Sequence, residues 1–504
     1  MILLLLSLAA RADSPDEAVA VPGPAEAAPL SALGIFQTRI SRSSIISTNP
    51  FLDGQVVGAL GGSNGTTTSL DERSMSAEQR AVAFLSWAPT ALDGRAALTA
   101  GFEVDFAWGD QSYQTGGNKG GGFGADQVNL QTRRLYASFQ PLRGDHEIKV
   151  LTGLQFVADS AWDPHSSTLN RLSRQGGGLG IWGSEAAGIS VFGRHSDGWG
   201  ERLAWRLGGY TLVENGLGLG DDLTLWMADA SLSPEYRVDL GLHAWWLKDN
   251  TGGSGGTLGL GPTSQLSALQ GGPDLDFGDG VEVDADLIWL AADIGWNREL
   301  RRGPVGARAL GLFNLGRLYL TNLPDVPVRG WLVNAEVRGR YARGSGSEIS
   351  AQLLASSRDG SGEGAYTGLV TGNSYGVVGA TWTSHGALLL FSDPGAINRQ
   401  VAVVSDLSNG GRGLLGLTGN AGYDLLPERL TAQGTLALAR TPDGEALGQE
   451  LGAGLVAHPL PLLDVGLRGA VVQGARVSDP STGQLSELPA FPWTVLAHLQ
   501  WVLF

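Results

Sequence analysis

Charged and large apolar residues recur in this chain in strict alternation. In GFEVDFAWGD, residues 101–110, Glu103 and Asp105 share one parity while Phe102, Val104, Phe106 and Trp108 share the other. In VEVDADLIW, 281–289, Glu282, Asp284 and Asp286 fall on one parity. In 331–341, Asn334, Glu336, Arg338 and Arg340 oppose Trp331, Val333, Ala335, Val337 and Tyr341, and Arg134 lies one strand step from Tyr136. In an extended chain successive side chains point to opposite faces, so each stretch presents a charged row backed by an apolar one. An unpaired carboxylate is very costly in a dry core, so the charged rows call for water. Acidic and basic rows facing each other across water set up a transverse field that orients polar solutes. The chemistry these residues suit is electrostatic selection; the plainer reading is an ordinary solvated wall.

Bond-making chemistry finds little support. The seven His, at 146, 165, 195, 243, 385, 458 and 498, occur in no HExxH frame, and no Cys is present to serve as nucleophile or thiolate ligand. The context of a Gly-x-Ser-x-Gly nucleophile elbow, a turn from strand to helix, is absent. His243 lies on the polar parity of its stretch, 237–246, where Trp246 belongs to the apolar row. Same-face residues of a strand lie ~7 Å apart, too far for Glu282, Asp284 and Asp286 to share a calcium ion without other ligands. GGNKGGGFGAD, 116–126, lacks the Lys-Ser/Thr of a phosphate loop and reads as a loop at the surface or folded inward. No catalytic residue, metal or cofactor is expected. Trp245, Tyr136 and Trp296 are candidates for stacking on sugars, although most Trp of such a wall sit at the membrane interface.

Composition narrows the class. The chain has 504 residues with 76 Gly and 15 Trp, and a formal net charge of −16. That balance argues against nucleic-acid binding, which needs a basic footprint. It also leads us to expect cation preference if the acids line a lumen. MILLLLSLAARADSP reads as a secretory signal over 1–12, ending in Ala-Arg-Ala, although no basic residue precedes its apolar run. Residues 13–30, acidic and rich in Pro and Ala, read as a disordered linker. No later segment approaches the ~18 apolar residues of a membrane helix; the longest runs are ALLLF and LIWLAA.

The rows need elements to position them. Alternating stretches of about ten residues suit tilted membrane-crossing strands. Short turns such as 89–94, 141–145, 233–236, 344–348, 425–429 and 459–463 take turns with long Gly-rich connections such as 109–126, 159–185 and 248–279. Short turns on one side and long loops on the other are the grammar of a transmembrane barrel, whose closure satisfies every backbone group in lipid. The expected fold is therefore all-β: one antiparallel transmembrane β-barrel over 31–504, of 16–18 strands with 18 preferred, or 16 with an extra hairpin. Phe102, Val104, Phe106, Trp108, Trp246 and Trp331 would face lipid or the aromatic girdle. Glu103, Asp105, Arg134, Tyr136, Glu282, Asp284, Asp286, Asn334, Glu336, Arg338 and Arg340 would line the lumen.

AEQRAVAFLSW, GFEVDFAWGD, NKGGGFGADQVNLQTRRLYASF and HEIKVLTGLQF, in that order over 77–156, resemble outer-membrane porins of Gram-negative bacteria, especially the homotrimeric type. The resemblance implies a channel for hydrophilic solutes, outer-membrane lipid as partner and a homotrimer. The final stretch, FPWTVLAHLQWVLF, resembles the terminal strand through which such barrels engage the barrel-assembly machinery, although Phe504 lies off the parity of Trp493, Val495, Ala497, Leu499, Trp501 and Leu503. Polysaccharide-secretion porins share the pattern, so export of a polymer with an envelope partner is the alternative. A non-conducting structural barrel is a third reading.

Overall fold

The computed structural model describes residues 30–47, 68–107, 129–143, 146–158, 183–195, 203–214, 220–235, 238–252, 281–297, 303–342, 346–360, 364–370, 386–391, 402–404, 407–409, 411–478, 485–488 and 491–503, with 300, 393 and 395. The signal and linker assigned to 1–30, apart from Leu30 itself, lie outside these residues, as do Trp108 and Phe504.

Eighteen strands form one antiparallel sheet. In chain order they are β1 (Leu30–Ser47), β2 (Thr68–Trp87), β3 (Ala96–Ala107), β4 (Asn129–Leu142), β5 (His146–Ala158), β6 (Gly183–His195), β7 (Leu203–Val213), β8 (Leu223–Glu235), β9 (Val238–Asp249), β10 (Val283–Trp296), β11 (Val305–Leu320), β12 (Val326–Arg340), β13 (Glu348–Ser356), β14 (Leu414–Leu426), β15 (Leu430–Arg440), β16 (Ala446–Leu460), β17 (Leu463–Gln473) and β20 (Trp493–Leu503). Two short strands, β18 (Arg476–Ser478) and β19 (Leu485–Glu487), make a separate hairpin between β17 and β20. Each barrel strand pairs with its neighbour in sequence, and β20 pairs with both β17 and β1, closing the ring. The expected 18-strand barrel is the observed one. Closure leaves no edge to hydrogen-bond, which is what lets strands sit in lipid.

The connections alternate as the sequence pattern demands. Short turns such as 427–429 and 461–462 gather at one end, together with the start of β1 and the end of β20. The strand ends that flank 108–128, 159–182 and 253–280 lie at the other, the long-loop end.

The outer face is apolar. Leu207, Leu242, Phe313, Val337, Leu436, Leu451 and Leu467 are all more than half exposed. Trp226, Trp246 and Tyr319 stand toward the long-loop end of this belt, and Trp87, Trp296 and Tyr341 toward the short-turn end, as an interfacial girdle requires. Leu242 sits midway along β9, 64% exposed. Leu242→Arg is expected to cost about 2–4 kcal/mol of folding stability in a bilayer, the range for a cation at the midplane of a barrel wall. Leu242→Ala should cost far less. Urea titration of both variants in lipid vesicles checks the belt; equal losses would contradict it.

Candidate functional site

The inner face divides into two kinds of wall. Around β2–β9 much of it is polar and tightly hydrogen-bonded, although Leu223, Leu225, Met227 and Leu247 make the long-loop half of β8–β9 apolar. Arg80 lies 3.3 Å from Glu103, both buried. Arg134 stacks over the Phe84 ring at 4.8 Å. Ser190 donates to Gln155 Oε1 at 2.5 Å, and Gln155 in turn donates to the Gly188 carbonyl. Farther round, Arg206 Nε donates to Asp229 Oδ2 at 2.8 Å. His243 stands between two carboxylates, its Nδ1 2.8 Å from Asp229 and its Nε2 2.9 Å from Asp293. Trp245 Nε1 also donates to Asp229, at 2.9 Å. Neighbouring strands set this spacing: Arg206, Asp229 and His243 are direct cross-strand partners, and Asp293 lies opposite Gly241. Gly241 is required there, because a Cβ would come within 1.7 Å of the Asp293 carboxylate.

The second wall is apolar, and the sequence pattern misread it. On β10 the inward row is Val283, Ala285, Leu287 and Trp289, all 1% exposed or less. Asp284 and Asp286 therefore point outward, on the parity of Ile288, Leu290 and Ile294. Asp286 accepts from Trp246 Nε1 at 3.1 Å and from the Tyr319 hydroxyl at 3.3 Å, at the long-loop rim of the outer face. Glu282 is exposed just before the strand. The placement of Glu282, Asp284 and Asp286 in the lumen is thus corrected. The reason is that β10 carries apolar residues on both faces, so its parity could not be assigned by polarity alone. No group of three metal-binding side chains occurs among the described residues.

What packs against the apolar wall is an insert made of the described residues of the 357–413 connection between β13 and β14, chiefly 366–370, 386–391 and 402–404. Tyr366 fills the edge of β12 above the short β13, exchanging backbone hydrogen bonds at Pro327 and Arg329. The insert then turns inward. The Val370 carbonyl accepts from Trp289 Nε1 at 2.9 Å, and its N–H donates to Asn314 at 3.3 Å. Ala387–Phe391, the ALLLF run, lies alongside 402–404 and is wholly buried. Leu369, Val370, Leu389, Leu390 and Phe391 share one apolar cluster with Trp289, Leu332 and Leu354 of the wall.

Polar contacts secure the far side. Glu450 of β16 accepts the backbone N–H groups of Leu388, Leu389 and Leu390 at 2.7, 2.9 and 2.6 Å. Arg468 of β17 donates to the Gly386 carbonyl at 2.8 Å. Asp393 pairs with Arg39 of β1. Burial alone would raise the Asp393 carboxyl, but Arg39 and Arg468 hold it below the usual carboxylate range. Because β1 and β10 lie half-way round the ring from each other, the insert crosses the lumen.

Beneath it a polar vestibule of about 990 Å³ runs from Gly386 to the short turns at 427–429 and 461–462. Its charges alternate. Arg308 pairs with Glu336 and Arg338 with Glu348, the latter at 2.5 Å. Arg429 and Arg468 line the same space.

The remaining expected residues fall as follows. Glu103, Arg134, Asn334 and Glu336 are inward and buried, and Asn334 accepts from Gln352 at 3.1 Å. Tyr136, Arg338 and Arg340 share the inward parity and are half-buried. Phe102 and Trp331 are outward, each 41% exposed, and Trp246 is outward at 42%. Val104 is partly exposed on the Phe102 parity. The Asp105 and Phe106 side chains lie outside what is described. Trp245 is fully buried and Trp296 points outward, so neither offers a sugar platform. Each of Glu103, Asp229, Glu336, Glu348 and Asp393 has a guanidinium partner, so at these positions the acid excess is compensated and gives the expected cation preference no footing.

No family model and no curated protein matches the chain. Solved structures do resemble it. The outer membrane channel DcaP of Acinetobacter baumannii superposes with a TM-score of 0.43 at 12% identity, over 94% of this chain and 97% of that one. OccAB2 of the same organism gives 0.46 at 9% identity, over 94% and 98%. OpdK of Pseudomonas aeruginosa with vanillate gives 0.45 at 13% identity, over 94% and 98%.

Proposed function

We propose that the protein is an outer-membrane channel of a Gram-negative bacterium that passes hydrophilic solutes, with its short-turn end in the periplasm. The polar vestibule of about 990 Å³ inside a barrel with an apolar exterior carries the reading. A barrel of 16–18 strands is wide enough to hold water, and paired charges of both signs along the vestibule suit hydrated polar solutes. The proposal assigns transport rather than catalysis. Closure of β20 against β1 fits its role as the segment presented to the barrel-assembly machinery. Nothing in the described residues favours export of a polysaccharide with an envelope partner.

Planar-bilayer recording of the purified, folded barrel tests the proposal. Stepwise, linear currents are expected, and steps in threes would identify the homotrimer. Absence of current from folded protein, even after the insert is excised, would sink the channel reading.

A further inference from the structure

The charges at the long-loop end of β8–β10 do not balance within the chain. From 249 to 286 the sequence carries seven Asp or Glu and no Lys, Arg or His, and from 207 to 236 it again has no basic residue. Five carboxylates are described at this corner: Asp221, Asp222, Asp249, Glu282 and Asp284. None of them takes part in an ion pair.

Asp249 needs compensation most. It ends β9, 1% exposed, with Leu223 of β8 and Ala285 of β10 as its cross-strand partners, both buried and apolar. Thr251 donates twice to its Oδ1, from the backbone N–H at 2.9 Å and from the hydroxyl at 2.6 Å. Its Oδ2 is buried and accepts no hydrogen bond. Asp221 Oδ1 and Asp222 Oδ1, just before β8, are in the same condition. The Asn250 N–H donates to the Asp222 carbonyl at 3.2 Å, which sets that pair beside Asp249. A buried carboxylate oxygen without a donor forfeits its hydration for nothing, and a proton on one of the three would leave the others uncompensated.

The turn after β9 draws β10 into the same corner. Gly252, at φ +62°, donates its N–H to Asp284 Oδ1 at 2.9 Å, and a Cβ on it would stand 3.8 Å from Glu282 Oε2. The Asp284 charge acts on Asp249. One oxygen of each carboxylate is thus fixed by the turn, and the other is left for a further partner.

We propose that Asp249 and Asp284 hold a calcium ion at this corner, with Asp222 and Glu282 as flanking charges and water completing the shell. Calcium takes about six to eight oxygens in irregular geometry, which suits carboxylates presented by a turn. No three of the described carboxylates share ligand spacing, so the site is a weak one, with a dissociation constant of about 10⁻⁴–10⁻³ M, as in extracellular modules. The ion ties the ends of β9 and β10 where their ladder stops.

Equilibrium dialysis of the folded full-length barrel against calcium chloride, in detergent free of lipopolysaccharide, tests the site. One ion per chain is expected. Asp249→Asn or Asp284→Asn should weaken binding at least about tenfold, while Asp325→Asn, at an exposed carboxylate paired with Arg317, should leave it unchanged. Urea titration with and without calcium gives a second readout. Calcium should raise the wild-type midpoint and leave that of Asp249→Asn unmoved. Without calcium, Asp249→Asn should be at least as stable as wild type, because the amide keeps an oxygen for Thr251 and carries no charge to compensate. A carboxylate that only shapes the turn gives no calcium response in either protein. That result, like binding unchanged within twofold in both variants, would overturn the site. If the Asp249→Asn barrel does not fold, as judged by heat-modifiable gel mobility, Asp284→Asn decides. Binding is read without current. Calcium bound by a barrel that conducts nothing would keep the site and remove the channel, whereas current from a barrel that binds none would do the reverse.

Discussion

Excision of residues 360–410 is expected to raise single-channel conductance several-fold. The geometry permits a clean cut, because the Asp359 N–H already donates to the Gly411 carbonyl at 2.7 Å, so a two-glycine bridge can join the ends. The insert crosses the lumen from Trp289 on β10 to Arg39 on β1, and an 18-strand barrel freed of it leaves an aqueous channel. Freed polar groups, including Glu450, Arg39 and Arg468, regain hydration in that channel. The apolar wall does not. Val328, Trp289, Leu332 and Leu354, each 1% exposed or less, would meet water. At about 1.5–3 kcal/mol for each side chain, the loss is on the order of 6–12 kcal/mol, offset in part by the chain entropy of an insert no longer ordered. The expected result is thus a wider but less stable pore. Bilayer recording and urea titration of the same preparation check both halves. Unchanged conductance would mean that the insert does not obstruct the conducting path.

The sequence pattern showed the barrel plainly and its interior only in part. Strands were legible wherever one face was apolar and the other charged, as in Phe102/Glu103 or Trp331/Glu336, because a two-residue period has only two phases and polarity selects one. Polarity selects no phase on β10, where Val283, Ala285, Leu287 and Trp289 are as apolar as the outward Ile288, Leu290 and Ile294. There the isolated carboxylates Asp284 and Asp286 seemed to mark the wet face. They mark the rim of the outer one. Both faces of this strand are dry because one meets lipid and the other meets the insert. The insert itself left a signal: ALLLF is a continuous apolar run in a chain otherwise built on alternation, the pattern of a segment buried on every side. Its length alone, far short of a membrane helix, does not reveal that role. The Arg206–Asp229–His243–Asp293 network was invisible for another reason. Its members lie on four strands, and only cross-strand register brings them together.

Asp229→Ala is expected to destabilise the barrel by about 3–5 kcal/mol, the range for removing one partner of a buried charge network. The carboxylate serves three neighbours at once: Arg206, His243 Nδ1 and Trp245 Nε1. Arg206, Asp229 and His243 are each 6% exposed or less, so the groups that lose this carboxylate have little access to replacement water. The vestibule supplies the contrast. Glu348→Gln breaks a pair with comparable geometry, but its Arg338 side chain is 39% exposed. Solvent screening limits such a pair to about 0–1 kcal/mol. Urea unfolding of the two variants side by side separates burial from mere charge pairing, since both remove one carboxylate facing one or more cations. A loss at Asp229 no larger than that at Glu348 would mean that water reaches the β7–β10 inner wall freely. The network would then belong to the open lumen. A loss several-fold larger makes it a structural brace, holding four strands in register beside the space the solute crosses.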